Sequence, residues 1–377
     1  MNIIENEDKS ISVTESIGKN REKMQIINPM DETCSTKTKT PLVSVIMPTY
    51  NGENTIKIAI ESVITQSLGL ENIELVIVDD NSNDKTQNIL KEFSKKYENI
   101  KSIFLKKNSG TASKPRNIGI EYAKADHIMF LDQDDEYAPD ICDKLYSTLV
   151  LNSADCVCCR YEQIFDYKSK KYRHILDKFK NTININSIEE FPALMSLGFP
   201  TMIWTKIYKK SIMIENNIKF PEKDLYEDVY FSSIYYLKSK NIIILNDYYG
   251  YIYKIMTKNI SKSGSTSQKF TKSLVNKQFN GFLKIMNEFE NNDNYPFIAE
   301  LTVDMTKIYL NTNLDINFQK YFLSKIKKYY KRYNITTRIN AVSIPFNLTI
   351  NIFIKLFSIS IIFPIFVSKL YKFIKNI

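Results

Sequence analysis

Between residues 41 and 131 the spacing of apolar positions alternates in a regular way. Leu42 to Met47 is an apolar run of strand length closed by Pro48. Ile56, Ile60, Val63 and Ile64 then recur at helical spacing within 53–67, and Ile73 to Val78 is a β-branched run ending in Asp79-Asp80-Asn81-Ser82. The pattern continues with a helix from about Asp84 to Tyr97, a strand at 100–105, a helix near 112–124 and a strand at His127–Leu131. Strands alternating with amphipathic helices predict a parallel α/β sheet with right-handed crossovers. In such sheets ligands bind beyond the carboxyl ends of the strands. Polar clusters fall at that rim: Pro48-Thr49-Tyr50-Asn51, Asp79-Asp80, and Asp132-Gln133-Asp134-Asp135.

After about residue 140 the alternation fades. A strand around Cys156, a hairpin through Lys168–Arg173, the segment Trp204–Ile214, an acid-fronted helix near 224–239 and a strand at 242–245 complete the domain, and from about 268 the pattern is helical. Residues 1–40 are polar, lack apolar periodicity and read as a flexible arm. No internal repeat is present in the sequence.

Composition narrows the chemistry. The 377 residues hold nine glycines, where average usage of about 7% would give roughly 26. None of them writes GxGxxG or GxxxxGK, so a dinucleotide-type Rossmann site and a P-loop are excluded. A nucleotide here would be held by side chains and a metal. Of the five cysteines, Cys156 and Cys159 write a lone CxxC, but there is no second pair, and two histidines complete no usual zinc set. The run Cys156-Val157-Cys158-Cys159 reads as buried, reduced thiols. With a polar N-terminus lacking a signal peptide, this points to a reducing, cytoplasmic compartment.

Three clusters carry candidate chemistry. Asp132 and Asp134, at alternate positions past a buried strand, can turn toward one ligand and repel each other unless a cation lies between them. Oxygen-only ligands suit Mg2+ or Mn2+ bridging a diphosphate, although acidic loops also occur as solvated turns. Asp80 can accept a hydrogen bond from a nucleobase imide N–H, which uracil has and cytosine lacks, or can cap the following helix with Asn81-Ser82-Asn83. Tyr50 offers a ring on which a base can stack. Glu227 and Asp228 stand at a helix start, either as a helix-start acid pair or as a general base for a sugar hydroxyl.

The runs VSVIMPTYNGENTIKIAIESVITQS, IELVIVDDNSND, NSGTASKPRNIGIEYAKADHIMFLDQDDEYAPD and LYEDVYF, in this order and spacing, resemble glycosyltransferase family 2. The resemblance covers about residues 42–265 and leaves 1–40 and the region after about 270 unexplained. It implies a GT-A nucleotide-diphospho-sugar transferase fold, a Rossmann-like mixed sheet flanked by helices, followed by a helical C-terminal region. It implies a UDP-sugar donor, a glycan or lipid-linked acceptor, and a Mn2+ or Mg2+ cofactor. Pro48 and Tyr50 would hold and stack uracil, Asp80 would accept its imide N–H, and Arg116 would lie along the uridine and phosphates. Asp132 and Asp134 would be the DxD pair, with Asp134 the direct metal ligand. Asp228 would be the catalytic base, with Glu227 orienting the acceptor or the base. The segment Ile260–Ser265 resembles a loop closing over the diphosphate, with Lys262 or Lys258 as counter-charge, where the family often has Arg or His. The implied reaction is direct displacement with inversion. Trp204, Lys206 and Tyr208 either line the acceptor side or belong to the core.

The net charge of +9 suggests a polyanionic partner until it is located. Eleven of the basic residues and no acidic one lie in 320–377, so the rest of the chain is slightly acidic and nucleic acid is not expected as a partner. The apolar stretch Phe346–Ile374 is interrupted by Lys355 and Pro364. Asn347, Asn351, Lys355, Ser358, Lys369 and Lys372 fall within an arc of about 100° on a helix. That stripe favours an amphipathic helix lying on an anionic membrane surface over a span, and places the protein peripherally on the inner face of the cell membrane. The expected organisation is an arm (1–40), the transferase domain (41–265), a helical region (266–339) and the membrane-associating segment (340–377). Two other classes compete: a non-catalytic nucleotide-sugar or glycan-binding module of the same fold, against which the intact acidic set argues, and a nucleotidyltransferase, which the scarcity of glycine disfavours.

Overall fold

The computed structural model describes residues 24–27, 40–165, 168–171, 182–186, 202–223, 226–255 and 272–290, with short pieces between 302 and 332. In chain order the elements are β1 (Met24–Ile27), β2 (Val43–Thr49), α1 (Ile56–Ile64), β3 (Ile73–Asp79), α2 (Thr86–Lys96), β4 (Ile100–Leu105), α3 (Ser113–Tyr122), β5 (His127–Phe130), β6 (Glu136–Tyr137) and α4 (Ile141–Leu151). They continue with β7 (Cys156–Phe165), β8 (Lys168–Lys171), β9 (Ile183–Ile185), β10 (Lys206–Lys209), α5 (Lys210–Glu215), α6 (Glu227–Lys238), β11 (Ile242–Ile255) and α7 (Lys272–Glu290).

The regular alternation in the sequence becomes a parallel core, β5-β2-β3-β4. Every residue of β2 and β3 is buried, as strands covered by helices on both faces require. On one flank α1 buries Ile56, Ala59, Ile60 and Val63, one face at helical spacing. On α3, Gly119 lets the helix close onto β2, since a Cβ there would meet Ile46 Cγ2 at 2.3 Å.

Beyond β5 the sheet becomes mixed: β10 runs antiparallel to both β5 and β7, β11 is parallel to β7, and β6 is antiparallel to β11. The basic stretch after β7 does turn back as a hairpin, with Glu162 opposite Lys171 and Phe165 opposite Lys168. The strand expected at 242–245 runs on to Ile255, because register shifts between Leu245 and Tyr251 interrupt its alternation without ending it. Its first residues pair with β9, and Tyr251 and Ile252 pair with β6 directly behind the DxD loop.

One expectation changes. Residues 24–27, assigned to a structureless arm, form β1, which pairs antiparallel with β4 and covers that sheet edge. Four residues are too few for periodicity to show, and a backbone ladder holds them. In the helical region, α7 packs against α6 and buries Phe279, Phe282, Ile285, Met286 and Phe289. Cys156, Cys158 and Cys159 are buried free thiols, as read from the sequence, and Cys142 is buried and free too. Among the described residues no helix is long and apolar enough to cross a membrane, and the segment 340–377 lies outside them.

Candidate active site

The carboxyl ends of β2, β3, β4 and β5 surround a cavity of about 380 Å³, whose lining includes Pro48, Tyr50, Asp80, Arg116, Asp132 and Asp134. Six residues singled out in the sequence thus share one wall. Further lining residues come from the turn between β4 and α3, Asn108 and Gly110 to Ala112, which lie in the run NSGTASKPRN but were given no role from the sequence.

Asp79 and Asp80 follow one another but do different work. Asp79 is fully buried and its Oδ2 accepts from the Ser82 amide (3.0 Å) and Gln87 Nε2 (2.9 Å), which shapes the turn into α2. Asp80 instead accepts from the Ser109 amide (2.9 and 3.0 Å) and the Ser109 hydroxyl (2.9 Å). The capping alternative for Asp80 therefore fails, since its carboxylate joins β3 to the loop after β4. Burial raises its pKa, and the Ser109 bonds oppose the shift.

Asn51 and Asn81 both adopt positive φ, a conformation asparagine tolerates in turns. Between the two rim loops stands Gln133, the middle residue of the DxD run. It accepts from the Thr49 hydroxyl and the Tyr50 amide (3.0 Å), and its Nε2 donates to the Tyr50 carbonyl (3.1 Å). Gly52 leaves room for it, because a Cβ at 52 would lie 2.4 Å from Gln133 Oε1. Tyr50 is thus fixed by its backbone while its ring stays 43% exposed beside the cavity.

The three acids of the loop after β5 divide by depth. Asp135 is buried and accepts from the Tyr251 hydroxyl (2.7 Å) and the Lys254 amide (2.9 Å), so it ties the loop to β11; burial lifts its pKa far above the carboxylate range. Asp132 Oδ1 receives Arg116 Nη2 at 2.8 Å. Asp134 meets no other side chain through a hydrogen bond among the described residues, and its pKa is pushed up to about 6 by burial and by Asp132. An acid raised by a like neighbour is a place where a cation would bind. Among the described residues no group of three or more His, Cys, Asp or Glu side chains could hold a metal. Two carboxylates nevertheless fit Mg2+ or Mn2+, which completes its shell with water and substrate phosphate.

The acid pair of α6 meets this wall through Arg116, whose Nη1 lies 3.0 Å from Asp228 Oδ1 and 4.0 Å from Glu227 Oε1. Tyr226, immediately before the pair, has φ 83°, a strained left-handed conformation for a tyrosine that turns the chain into the helix. The Asp228 side chain keeps 31% exposure at the cavity edge. Its pKa is raised to about 7, first by burial, with Arg116 opposing and Glu227 and Asp132 adding to the rise. A carboxyl poised near neutrality can accept and release a proton under ordinary conditions. Lys258 and Lys262 lie outside the described residues. Trp204, Lys206 and Tyr208 are buried, which places them in the core beneath the site.

A mixed sheet with a parallel core and a carboxylate-lined rim at its strand ends defines a GT-A fold. Residues 44–212 match the family model Glycosyl transferase family 2. The poly(ribitol-phosphate) beta-glucosyltransferase of Bacillus spizizenii is 32% identical over 214 residues, 56% of this chain and 32% of that protein. The poly(ribitol-phosphate) beta-N-acetylglucosaminyltransferase TarP of Staphylococcus aureus is 35% identical over 215 residues, 56% of this chain and 62% of that protein. The chain thus spans less than two thirds of the length of these curated relatives. In fold it is similar to S. aureus TarS 1–349 crystallised with UDP-GlcNAc, with a TM-score of 0.66 at 20% identity over 88% of this chain and 91% of that one.

Proposed function

We propose that this protein is a metal-assisted, inverting glycosyltransferase that moves a sugar from a UDP-sugar to a hydroxyl of a cell-surface glycan or lipid-linked acceptor. The observation that carries this is the convergence of Tyr50, Asp80, Asp132 and Asp134 on one cavity, with Asp228 joined to the same wall through Arg116. The names of the relatives favour an anionic polyol-phosphate polymer as the acceptor.

Tyr50 stacks the uracil held beside Pro48, and Asp80, already oriented by Ser109, accepts the imide N–H. Asp132 and Asp134 would hold Mn2+ or Mg2+, which when bound supplies charge neutralisation for the diphosphate. Asp228 takes the proton of the acceptor hydroxyl as that oxygen bonds to the anomeric carbon and the carbon–oxygen bond to UDP breaks. Attack from the face opposite the nucleotide inverts the anomeric centre. Glu227, beside the base in the first turn of α6, orients the incoming hydroxyl. Lys262 contributes positive charge from the segment that follows β11. The last residues, 340–377, hold the enzyme on the anionic inner surface of the membrane, where a polymer under construction is within reach.

A panel of UDP-sugars, offered with and without polyol-phosphate polymer and read by released UDP, tests the reading. One donor is expected to release UDP with the polymer present and metal added. A protein that neither binds UDP nor releases it from any donor would overturn it. For the tail, removal of 340–377 is expected to shift the protein from the membrane pellet to the supernatant, and unchanged pelleting would refute the anchoring role.

A further inference from the structure

Arg116 belongs to α3 on the donor side, yet its contacts reach both sides of the site. It is 4% exposed, and its guanidinium divides between Asp132 Oδ1 at 2.8 Å through Nη2 and Asp228 Oδ1 at 3.0 Å through Nη1. Nε is buried without a hydrogen-bond partner. The guanidinium carbon lies 5.5 Å from the Phe220 ring centre. Phe220 is held by the neighbouring residue on α3: Asn117 Nδ2 donates to its carbonyl (2.9 Å) and Asn117 Oδ1 accepts from its amide (2.8 Å). Phe220 in turn stacks on Phe231 of α6, with ring centres 4.0 Å apart. One turn of α3 therefore places both the arginine and the aromatic prop of the helix that carries Asp228.

Arg116 is among the residues that line the cavity. Here both terminal nitrogens are engaged by carboxylates from two separate elements. We infer that Arg116 is a positioning residue for transfer: it ties the Asp228 carboxylate to the Asp132 carboxylate and so fixes the proton acceptor relative to the donor. The inference rests on the reading of Asp228 as base. A misplacement of about 1 Å can cost roughly 100-fold in rate, and a planar two-armed fork holds such a separation where the single ammonium of lysine does not. Four charged groups face Asp228: Arg116 from α3, Glu227 from its own helix, Asp132 from the loop after β5 and Lys206 from β10. Arg116 is the foremost of these in favouring its ionised form.

Arg116→Lys and Arg116→Gln separate position from charge. Each is compared with the unmodified protein by UDP calorimetry, by kcat and KM for the UDP-sugar across pH, and by thermal unfolding to confirm the fold. Both are expected to bind UDP within about threefold and to lose kcat by roughly 100-fold. The acid limb of kcat is expected to move to higher pH in Arg116→Gln and to stay in Arg116→Lys. Loss of UDP affinity with kcat preserved, or an acid limb that does not move in Arg116→Gln, would overturn the inference. Should the glutamine variant not fold, the kcat and UDP affinity of the lysine variant decide between position and donor binding. Should the unmodified protein turn over no UDP-sugar, the base reading fails, and the tie is read by 13C NMR of the Asp228 carboxyl, assigned by its loss in Asp228→Asn. A titration midpoint that rises in Arg116→Gln and not in Arg116→Lys supports the tie, and an unmoved midpoint overturns it.

Discussion

The proposed donor side of the molecule, residues 43–135, is assembled from neighbours: β2 lies between β3 and β5, β3 lies beside β4, α2 packs on β4, and α3 packs on β2 and β3. The side proposed to hold the base, 156–255, is assembled from distant pieces. Cys156 of β7 pairs with Tyr208 of β10 on one edge and Ile242 of β11 on the other, and β10 is inserted between β5 and β7. The contrast assigns work. A rim made by consecutive βα units can be set before any substrate arrives, whereas Asp228 takes its place only when strands far apart in sequence have found their register. Binding should therefore follow the first side and rate the second, and the largest departures are expected where one side is altered alone.

Asp228→Asn is the most severe such alteration. The change keeps size and removes the proton acceptor, so transfer is expected to fall by roughly 100- to 10,000-fold, with UDP affinity and thermal unfolding near those of the unmodified protein. Steady-state kinetics and calorimetry on the same preparation check both halves of the statement. Near-normal turnover would remove Asp228 from the base role and dissolve the division between the two sides.

Asp134→Ala makes the complementary cut. It removes the carboxylate that no other side chain hydrogen-bonds among the described residues and should abolish the dependence of UDP binding on Mn2+. The loss should match or exceed the roughly 10- to 100-fold that follows removal of a supporting partner at metal sites. Titration of UDP with and without Mn2+ reads it. Equal metal response in the variant and the unmodified protein would place the cation elsewhere.

Acidity should separate the two sides without mutation. Asp228, raised to about 7, must be ionised to take a proton, so kcat is expected to fall by about tenfold per pH unit as pH drops below that value. Metal uptake must displace the proton of Asp134, raised to about 6, so Mn2+ affinity should decline only at lower pH. Two limbs, one in kcat near neutrality and one in metal binding below it, are the expected profile. A single limb shared by both quantities would mean that one group controls both sides.

The same contrast explains what the amino-acid sequence discloses. Strands 73–79 and 100–105 and the helix between them are written in local periodicity, and the DxD acids stand directly after a strand, so their convergence follows from topology alone. Tyr251 holding Asp135, Asn117 holding Phe220 and Arg116 reaching Asp228 are contacts between residues more than 100 positions apart, and no local pattern encodes them. Asp80 shows the limit within the donor side: its place at the strand end was legible, but its partner Ser109 comes from a turn that carries no periodicity. In β11 the alternation breaks at a bulge, which in a sequence looks like a strand end.

The smallest predicted effect tests whether the donor rim is as self-contained as this contrast requires. Gln133 sits between the two DxD acids and links the β2 loop to the β5 loop through Thr49 and both backbone groups of Tyr50. Truncation in Gln133→Ala leaves both acids in place but frees the Tyr50 backbone, and with it the ring offered to the base. Each lost hydrogen bond to an uncharged group is worth about 0.5–1.5 kcal/mol, much of which water can restore at this partly exposed site. UDP affinity should therefore weaken by only about three- to tenfold, with kcat at saturating donor unchanged. A fall in kcat instead, at unchanged affinity, would show that the β2 loop also sets the geometry at Asp228, and the donor and base sides would then have to be treated as one mechanical unit.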